Sequence, residues 1–291
     1  MRDYVIMTDS CCDLNAQEIA ESGLCVIPLT FTIGGKNYRD TPDHAEMSLA
    51  EFYSRLRSGE TSVTAAANVG DFTDSMRLIL EAGKDVLCVA FSSALSTTYQ
   101  SGCIAADELR SEFPDAKIIV IDSLAASRGQ GMLMWYAAKE KAKGKTIDEV
   151  ADWLRANIQH QDHWFTVDDL NHLRRGGRLN ATSAIVGTVL SIKPVMHCDA
   201  EGKLTAVSKA RGMKQALREL INKMDELGAR PLKDQTVFIC HADAPDSVAL
   251  VKDMLRERFG VTDVRADYIG PVIGSHTGAG TLGLFFFGKE R

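Results

Sequence analysis

The stretch DVLCVAFSSALSTTYQSGCIAADELR, residues 85–110, joins two different sequence patterns. Residues 86–91 form an apolar run with no charge, which is typical of a strand buried on both faces. Small hydroxyl residues follow, and the remainder has the composition of a helix. A buried strand that leads through a polar turn into a helix is the repeating unit of a parallel α/β sheet. This stretch therefore indicates the fold class.

The alternation extends through the first half of the chain. YVIMT (4–8) and KIIVID (117–122) are further apolar runs separated by helical segments, which predicts a mainly parallel sheet with flanking helices. In the second half, KPVMHC and GKLTAVSKA read as hairpin strands and indicate a mixed α/β sheet. We therefore expect two domains, 1–160 and 161–291, divided in the polar segment ANIQHQDH (156–163).

Composition limits the class of function. A hydrophobic fraction of 45% and a charged fraction of 25% are typical of soluble globular proteins, and the net charge of −6 argues against a general nucleic-acid surface. The first apolar run is too short for a signal peptide or a membrane span, so a cytoplasmic location is expected. The seven cysteines include no CxxC pair and no zinc spacing, so we expect no metal. The adjacent Cys11 and Cys12 leave a redox site open as a less favoured alternative.

Polar side chains follow three of the strands of the first half. They are Thr8-Asp9-Ser10, Ser92-Ser93 and Asp122-Ser123. In an open parallel sheet such ends face the ligand crevice, and the helices that follow favour an anion. Each group alone is better explained by turns and helix caps, but three at corresponding places favour a site.

Two further segments leave alternatives open. TSVTAAANVGDF (61–72) is either a loop that lines a site or the start of a helix. RRGGRLN (174–180) gathers three arginines that could hold a phosphate, dock on an acidic protein face or simply be solvated. Arg211 lies at a strand-to-helix junction, where it either meets a buried carboxylate or is exposed.

The segment GPVIGSHTGAGTLG, residues 270–283, is expected to be a flexible glycine-rich loop before a last strand. Its GAGTLG letters match a dinucleotide signature, but no helix and acidic residue can follow in the eight residues that remain. The chain has no GxxxxGK[ST] and no GxSxG motif either. Taken by itself, His276 is more often a structural histidine than a catalytic one.

In this order, the motifs resemble the DegV family over essentially the whole chain. They are MTDSCCDL, FSSALSTTYQSG, VIDSLAASRGQG, VDDLNHLRRGGRLN, LSIKPVMHCDAEGKL with KAR, and GPVIGSHTGAG. The resemblance implies a two-domain α/β protein that binds one long-chain fatty acid between its domains. Some members are the binding subunits of a bacterial fatty acid kinase, whose separate ATP-dependent subunit phosphorylates the carboxylate.

The resemblance also implies roles for individual residues. Ser93, with Ser92, matches the serine motif that contacts the carboxylate, and His276 and Arg211 match two further residues of the head-group site. The family threonine falls on Thr64, or alternatively on Thr61, and the Gln-Pro-Ser that should follow it is absent. Arg178 matches the residue implicated in kinase docking. Further residues are expected around these positions: Asp9, Ser10, Ser62, Gly274 and Ser275 at the site, and Arg174 and Arg175 at the docking face.

A carrier of this kind needs an apolar enclosure. Removing a chain of about 16 carbons from water contributes on the order of 10 kcal/mol, at about 0.8 kcal/mol per methylene. We expect no cofactor, and a transient membrane contact is compatible with lipid transfer. Two alternatives remain open at this stage: a serine-dependent lipid or ester hydrolase that uses Ser93 and His276, and a lipid-binding regulatory protein without a kinase partner.

Overall fold

The computed structural model describes residues 2–179 and 191–291. These residues form thirteen strands: β1 Tyr4–Asp9, β2 Cys25–Ile27, β3 Thr30–Ile33, β4 Lys36–Arg39, β5 Ser62–Ala65, β6 Asp85–Ala90, β7 Ile118–Asp122, β8 Gln161–Thr166, β9 Ile192–Cys198, β10 Leu204–Arg211, β11 Val237–His241, β12 Val264–Tyr268 and β13 Leu282–Phe287. The helix expected from the small-residue segment 181–192 falls almost entirely outside the described residues.

The α-helices of the described residues connect these strands. They are α1 Ala16–Ser22, α2 Leu49–Arg57, α3 Val69–Glu81, α4 Thr98–Glu112, α5 Arg128–Ala142, α6 Ile147–Asn157, α7 Asn171–Arg175, α8 Met213–Leu227, α9 Pro245–Phe259 and α10 Pro271–Thr277. Asn15 and Glu18 begin α1 with a reciprocal capping box, which their spacing in the sequence favours. None of the helices in the described ranges is long and apolar enough to cross a membrane.

The first half contains the expected parallel sheet, with strand order β2-β1-β6-β7. The strand that opened the sequence analysis, β6, is buried along its whole length because it lies in the interior of the sheet. The predicted α/β class is therefore confirmed. The carboxyl ends of β1, β6 and β7 lie along one edge and carry the polar residues noted above.

The second half contains the mixed sheet, with order β10-β9-β8-β13-β11-β12. The pair β11–β12 is parallel and the other pairs are antiparallel. Successive side chains of a strand point to opposite faces. Accordingly, Phe238 and Phe285 join the core shared with the first half, whereas Ile239 and Leu284 pack in the core under α8 and α9.

A third sheet, β4-β3-β5, was only partly expected. The hairpin of β3 and β4 is confirmed, but residues 62–65 form the edge strand β5 on its other side. Asn68 then begins α3 with a capping box to Asp71. Segment 61–72 is thus a strand followed by a helix start, and the strand escaped prediction because its burial alternates over only four residues.

The two larger sheets are joined by α5, which contacts β1 on one side and β11 and β13 on the other. Most of its residues are buried, including Arg128, Gln130 and Trp135. A helix buried all round is expected between two layers. The core that results is continuous across residue 160, and the domain boundary there stays a prediction.

The expectation of a flexible loop at 270–281 was wrong for its first part. Pro271–Thr277 form helix α10, with Pro271 at the first helical position, and the helix ends at Gly278, whose φ is 76°. Proline suits that position because its missing N–H would have no partner in the helix. The predicted last strand is confirmed as β13.

Candidate functional site

A cavity of about 690 Å³ lies between the two halves of the molecule. It is bounded by the loops that follow β6 and β7, by β5 and α10, and by the inner face of the mixed sheet. Its volume falls in the range of about 300–1,000 Å³ that is usual for small-molecule sites. The position matches the rule that ligands of open α/β sheets bind outside the carboxyl ends of the parallel strands.

Most of the cavity wall is apolar. The side chains concerned are Leu29, Phe91, Leu95, Phe165, Leu173, Leu204, Ile269, Val272, Ile273 and Phe285. They come from eight strands, loops or helices spread over most of the chain. Sequence reasoning did not find them, because a core side chain and a cavity side chain leave the same apolar signal.

A hydrogen bond between Thr64 and His276 marks the polar part of the cavity. Thr64 Oγ1 lies 2.7 Å from His276 Nε2. The threonine projects from β5, which pairs with β3 opposite Phe31, and the histidine lies in the last turn of α10. The structure therefore brings together two predicted head-group residues that are 212 positions apart in the sequence.

The surroundings keep His276 neutral. Burial, followed by the nearby charge of Arg178, lowers the pKa of His276 from 6.5 to about 4. On the other side of the ring, a Cβ atom added at Gly176 would lie 2.3 Å from His276 Nδ1. A glycine is therefore required where the 174–178 segment approaches the imidazole, a role that its sequence neighbours did not reveal.

Ser93 and Arg178 are also among the polar residues that line the cavity. The backbone N–H of Ser93 donates to Asp122 Oδ1 at 3.2 Å, which fixes the loop after β6. The Ser93 hydroxyl has no hydrogen-bond partner among the described residues. Arg178 is exposed, and its Nε donates to Leu95 O at 3.2 Å, so its guanidinium closes over the same loop.

The hydrolase hypothesis requires a serine beside the histidine. In the structure, His276 Nε2 bonds to Thr64 and Nδ1 faces Gly176, and neither nitrogen is paired with Ser93. Thr64 and His276 can instead donate or relay hydrogen bonds to an anion. The geometry therefore suits carboxylate binding better than activation of a serine nucleophile.

A second, polar groove of about 380 Å³ adjoins the cavity. Thr64, Arg178 and His276 line both spaces and so form a partition between them. The remaining lining of the groove includes several of the predicted residues: Thr61, Ser62, Arg175 and Ser275. The alternative threonine, Thr61, thus lies outside the apolar cavity and Thr64 lies on it.

Three other predicted residues have structural contacts instead. Ser92 is fully buried, and its hydroxyl donates to Gly202 O. Asp9 accepts from the backbone of Cys11 and Phe91, and its burial raises its pKa to about 6. Ser10 accepts from Leu29 N at 3.0 Å. In the described structure these side chains hold the loops behind the cavity and do not line it, and their expected places at the site stay predictions.

Arg211 does not reach the cavity formed by the described residues. It lies exposed at the end of β10, opposite Ile192. The strand carries it to the outer edge of the mixed sheet, and its expected role at the head group stays a prediction. Gly274 packs on Tyr53 rather than on the cavity, and Arg174 is exposed on α7 away from both spaces.

The amino-terminal end of α10 is held by two buried carboxylates. Gly270 N donates to Asp13 Oδ1 at 2.9 Å, and Val272 N donates to Asp40 Oδ2 at 3.3 Å. Burial raises the pKa of Asp13 to about 7 and that of Asp40 well above its usual range. Neither aspartate was singled out from the sequence, and these contacts position the helix that carries His276.

The cysteines give no sign of redox chemistry. Cys11 and Cys12 are buried free thiols, and burial raises the pKa of both. A thiol with a raised pKa is a poor nucleophile. Across residues 2–179 and 191–291, no three His, Cys, Asp or Glu side chains are grouped as metal ligands would be.

Fold and cavity together define an α/β protein with a largely apolar small-molecule site whose wall includes Thr64, His276 and Arg178. A family model described as "Uncharacterised protein, DegV family" matches residues 3–289. A DegV domain-containing protein of Clostridium perfringens is 41% identical over 291 residues, 100% of this chain and 99% of the relative. The chain belongs to the DegV family.

Solved structures show the same fold. A DegV family protein from Thermus thermophilus, described with fatty acid binding, has a TM-score of 0.87 and 29% identity, and covers 99% of this chain and 100% of its own. A DegV lipid binding protein from Thermotoga maritima has a TM-score of 0.86 and 29% identity, with 99% of both chains covered.

Proposed function

We propose that this protein binds a long-chain fatty acid between its two domains, with the acyl tail enclosed in the 690 Å³ cavity and the carboxylate at the Thr64–His276 partition. The observation that carries the proposal is this cavity, whose apolar wall ends at a hydroxyl and a neutral imidazole. The fatty acid and lipid binding described for the two related structures supports the same ligand class.

The chemistry of the partition suits a carboxylate. An anion removed from water needs donors, and Thr64, His276 and Ser93 can provide them without adding a buried charge. The guanidinium of Arg178 lies beside them and offsets the negative charge. Enclosing about 16 carbons contributes on the order of 10 kcal/mol, which a soluble carrier needs to compete with a membrane.

The second part of the proposal is that the bound acid is presented to a separate ATP-dependent kinase subunit. A carboxylate oxygen would bond to the γ-phosphorus of ATP while the bond from that phosphorus to the β,γ-bridging oxygen breaks, so that ADP leaves and an acyl phosphate remains. This chain has no P-loop motif, and the family resemblance assigns the nucleotide to the partner.

Native mass spectrometry tests the ligand. Protein purified from a bacterial host is expected to carry one fatty acid per chain, released and identified by organic extraction. A matched sample of Phe165→Arg, which places a charge on the cavity wall, should carry much less. Wild-type protein without stoichiometric fatty acid would contradict the proposal.

A charge reversal at Arg174 tests whether the protein docks on a kinase subunit. Arg174 is exposed on α7, one residue before the groove residue Arg175, and lines neither space. We expect Arg174→Glu to bind fatty acid as wild type does and to lose at least about 10-fold in phosphorylation by an added kinase subunit, since reversing a charge at an interface makes the contact repulsive. Arg155→Glu, on the exposed face of α6, is the control for a general charge effect. Normal phosphorylation of Arg174→Glu would remove Arg174 from the docking face.

A further inference from the structure

The polar groove outside the partition differs in charge from the rest of the protein. The chain as a whole has a net charge of −6. Among the described residues, the groove is lined by eleven, and none of these is acidic. Arg175 and Arg178 provide two positive charges there. The groove is thus a cationic space in an acidic protein.

The two arginines are available for a ligand. In the described part of the chain their guanidinium groups bond to a histidine nitrogen and to backbone carbonyls rather than to carboxylates. Arg175 Nη2 lies 3.1 Å from His172 Nδ1, and Arg178 bonds to the carbonyl oxygens of Leu95 and Gly176. Each guanidinium has five N–H donors, so most of them remain for an anion.

The opposite wall of the groove offers hydroxyl groups. Ser62 Oγ and Ser275 Oγ lie 2.7 Å apart, and Thr61 and Thr64 line the same side. Guanidinium forks combined with hydroxyls are the usual donors to a phosphate, whose oxygens accept several hydrogen bonds at once. A carboxylate fills only the partition, whereas a phosphoryl group attached to it needs additional polar space on the outer side.

We propose that the groove is a phosphate subsite, which holds the phosphate of an acyl phosphate while the acyl tail stays in the apolar cavity. This inference rests on the proposed function, because it places the product of the kinase reaction. Thr64, His276 and Arg178 lie at the junction, and Arg175 is the groove arginine that does not line the tail cavity.

The test uses a stable analogue in place of the labile acyl phosphate. Delipidated full-length protein is loaded with a fluorescent fatty acid, which is then displaced by palmitate or by monohexadecyl phosphate. Wild type is expected to bind both. Arg175→Ala should weaken monohexadecyl phosphate about 10-fold, since a charge-assisted hydrogen bond to phosphate is lost, and should change palmitate affinity less than about 2-fold.

Arg174→Ala is the matched control, because it removes the same charge one residue away without reaching the groove. Arg175→Lys keeps the charge without the planar fork and should give an intermediate loss. Equal losses in Arg174→Ala and Arg175→Ala, or equal losses for palmitate and monohexadecyl phosphate in Arg175→Ala, would overturn the subsite.

The remaining outcomes separate the two proposals. Palmitate binding without monohexadecyl phosphate binding overturns the subsite and leaves fatty-acid binding in place. Binding of neither ligand overturns the proposed function itself. Adding millimolar inorganic phosphate shows whether the groove also binds free phosphate. If inorganic phosphate weakens the binding of monohexadecyl phosphate but not that of palmitate, the groove also binds free phosphate. If it weakens neither, the groove binds phosphate only when an acyl chain is attached.

Discussion

The two ends of helix α10 are held in different ways. At the amino-terminal end, Asp13 and Asp40 are buried and accept from Gly270 N and Val272 N. At the carboxyl-terminal end, His276 is half-buried and contacts Thr64 at 2.7 Å across the edge of a cavity. One end is anchored in the core, and the other forms part of the proposed binding site.

Within these seven residues, one end of the helix is therefore expected to affect stability and the other to affect ligand binding. The aspartates satisfy backbone donors at the start of the helix, so losing them should destabilise the fold. His276 holds the Thr64 hydroxyl at the edge of the cavity, so losing it should change binding first. A firm anchor at one end explains how a short helix can hold an imidazole in a fixed place.

The largest effect is expected for Asp13→Ala. The change leaves Gly270 N and the Ser127 hydroxyl without their buried acceptor and should lower the free energy of unfolding by about 3 kcal/mol. Asp13→Asn is the control, because asparagine can accept from Gly270 and tolerates the left-handed φ of 49°. Urea denaturation measures both, and an alanine variant as stable as wild type would show that the anchor is not needed.

Thr64→Val should mainly affect binding. The substitution keeps the shape and removes the hydroxyl, so fatty-acid affinity is expected to fall about 10-fold or more, the size of a hydrogen bond to a charged group. Thr61→Val is the matched control in the outer groove and should bind normally. Titration with a fluorescent fatty acid measures the affinity of both variants. A larger loss of affinity in Thr61→Val than in Thr64→Val would assign the head-group contact to Thr61.

Substitutions at the neighbouring glycines Gly176 and Gly177 should have smaller effects, one on ligand affinity and the other on stability. In Gly176→Ala the new Cβ displaces the imidazole of His276, and we expect about a 5-fold loss of fatty-acid affinity with little loss of stability. Gly177 has a φ of 68° and open space around its Cβ position. Gly177→Ala should therefore cost about 1 kcal/mol of stability and leave binding unchanged. Identical behaviour of the two variants would contradict the contact with His276.

The smallest effect is in the pH dependence of stability. Because the pKa of His276 is lowered to about 4 in the folded protein, the unfolded chain takes up the proton first as the pH falls below 6.5. Stability should therefore be lost on acidification, by about 1 kcal/mol between pH 6.5 and about 5.5.

His276→Gln should remove the loss of stability on acidification that comes from His276. The contribution of Asp13 to the pH dependence, which has the opposite sign, should remain. The pKa of Asp13 is raised to about 7, so between about pH 4 and 7 the folded protein binds a proton at Asp13 that the unfolded chain has lost. The stability that Asp13 contributes therefore declines as the pH rises from about 4 towards 7. Urea denaturation of wild type and His276→Gln across this range measures the difference. Equal slopes in the two proteins would mean that His276 titrates normally.

Much of the architecture could be predicted from local patterns. The strands β1, β6 and β7, the hairpin of β9 and β10, and the capping pair Asn15–Glu18 all follow from features within a few residues of each other. Burial on both faces gives β6 an uninterrupted apolar run. The helix α10 was missed because its glycines argue against a helix, and the carboxylates that stabilise it come from the distant positions 13 and 40.

The residues of the candidate site were likewise predictable only in part. Thr64, Ser93 and His276 were expected through the family resemblance, and the structure places all three on one cavity. Arg211 and Ser92 match the same motifs, yet one lies on an outer edge and the other is buried against Gly202. A motif gives the residue type, but the strand or loop that carries it determines where the side chain points.

The sequence by itself determined the α/β class, most of the order of the elements and the family, because these depend on periodicity and on motifs that are local in the chain. Only the tertiary structure decided which apolar residues enclose a cavity, that Gly176 makes room for His276, and that Asp13 and Asp40 hold α10. The contacts of Gly176, Asp13 and Asp40 join positions 100 or more residues apart. They arise from packing and from the need to satisfy buried polar groups, and neither leaves a periodic signal in the sequence.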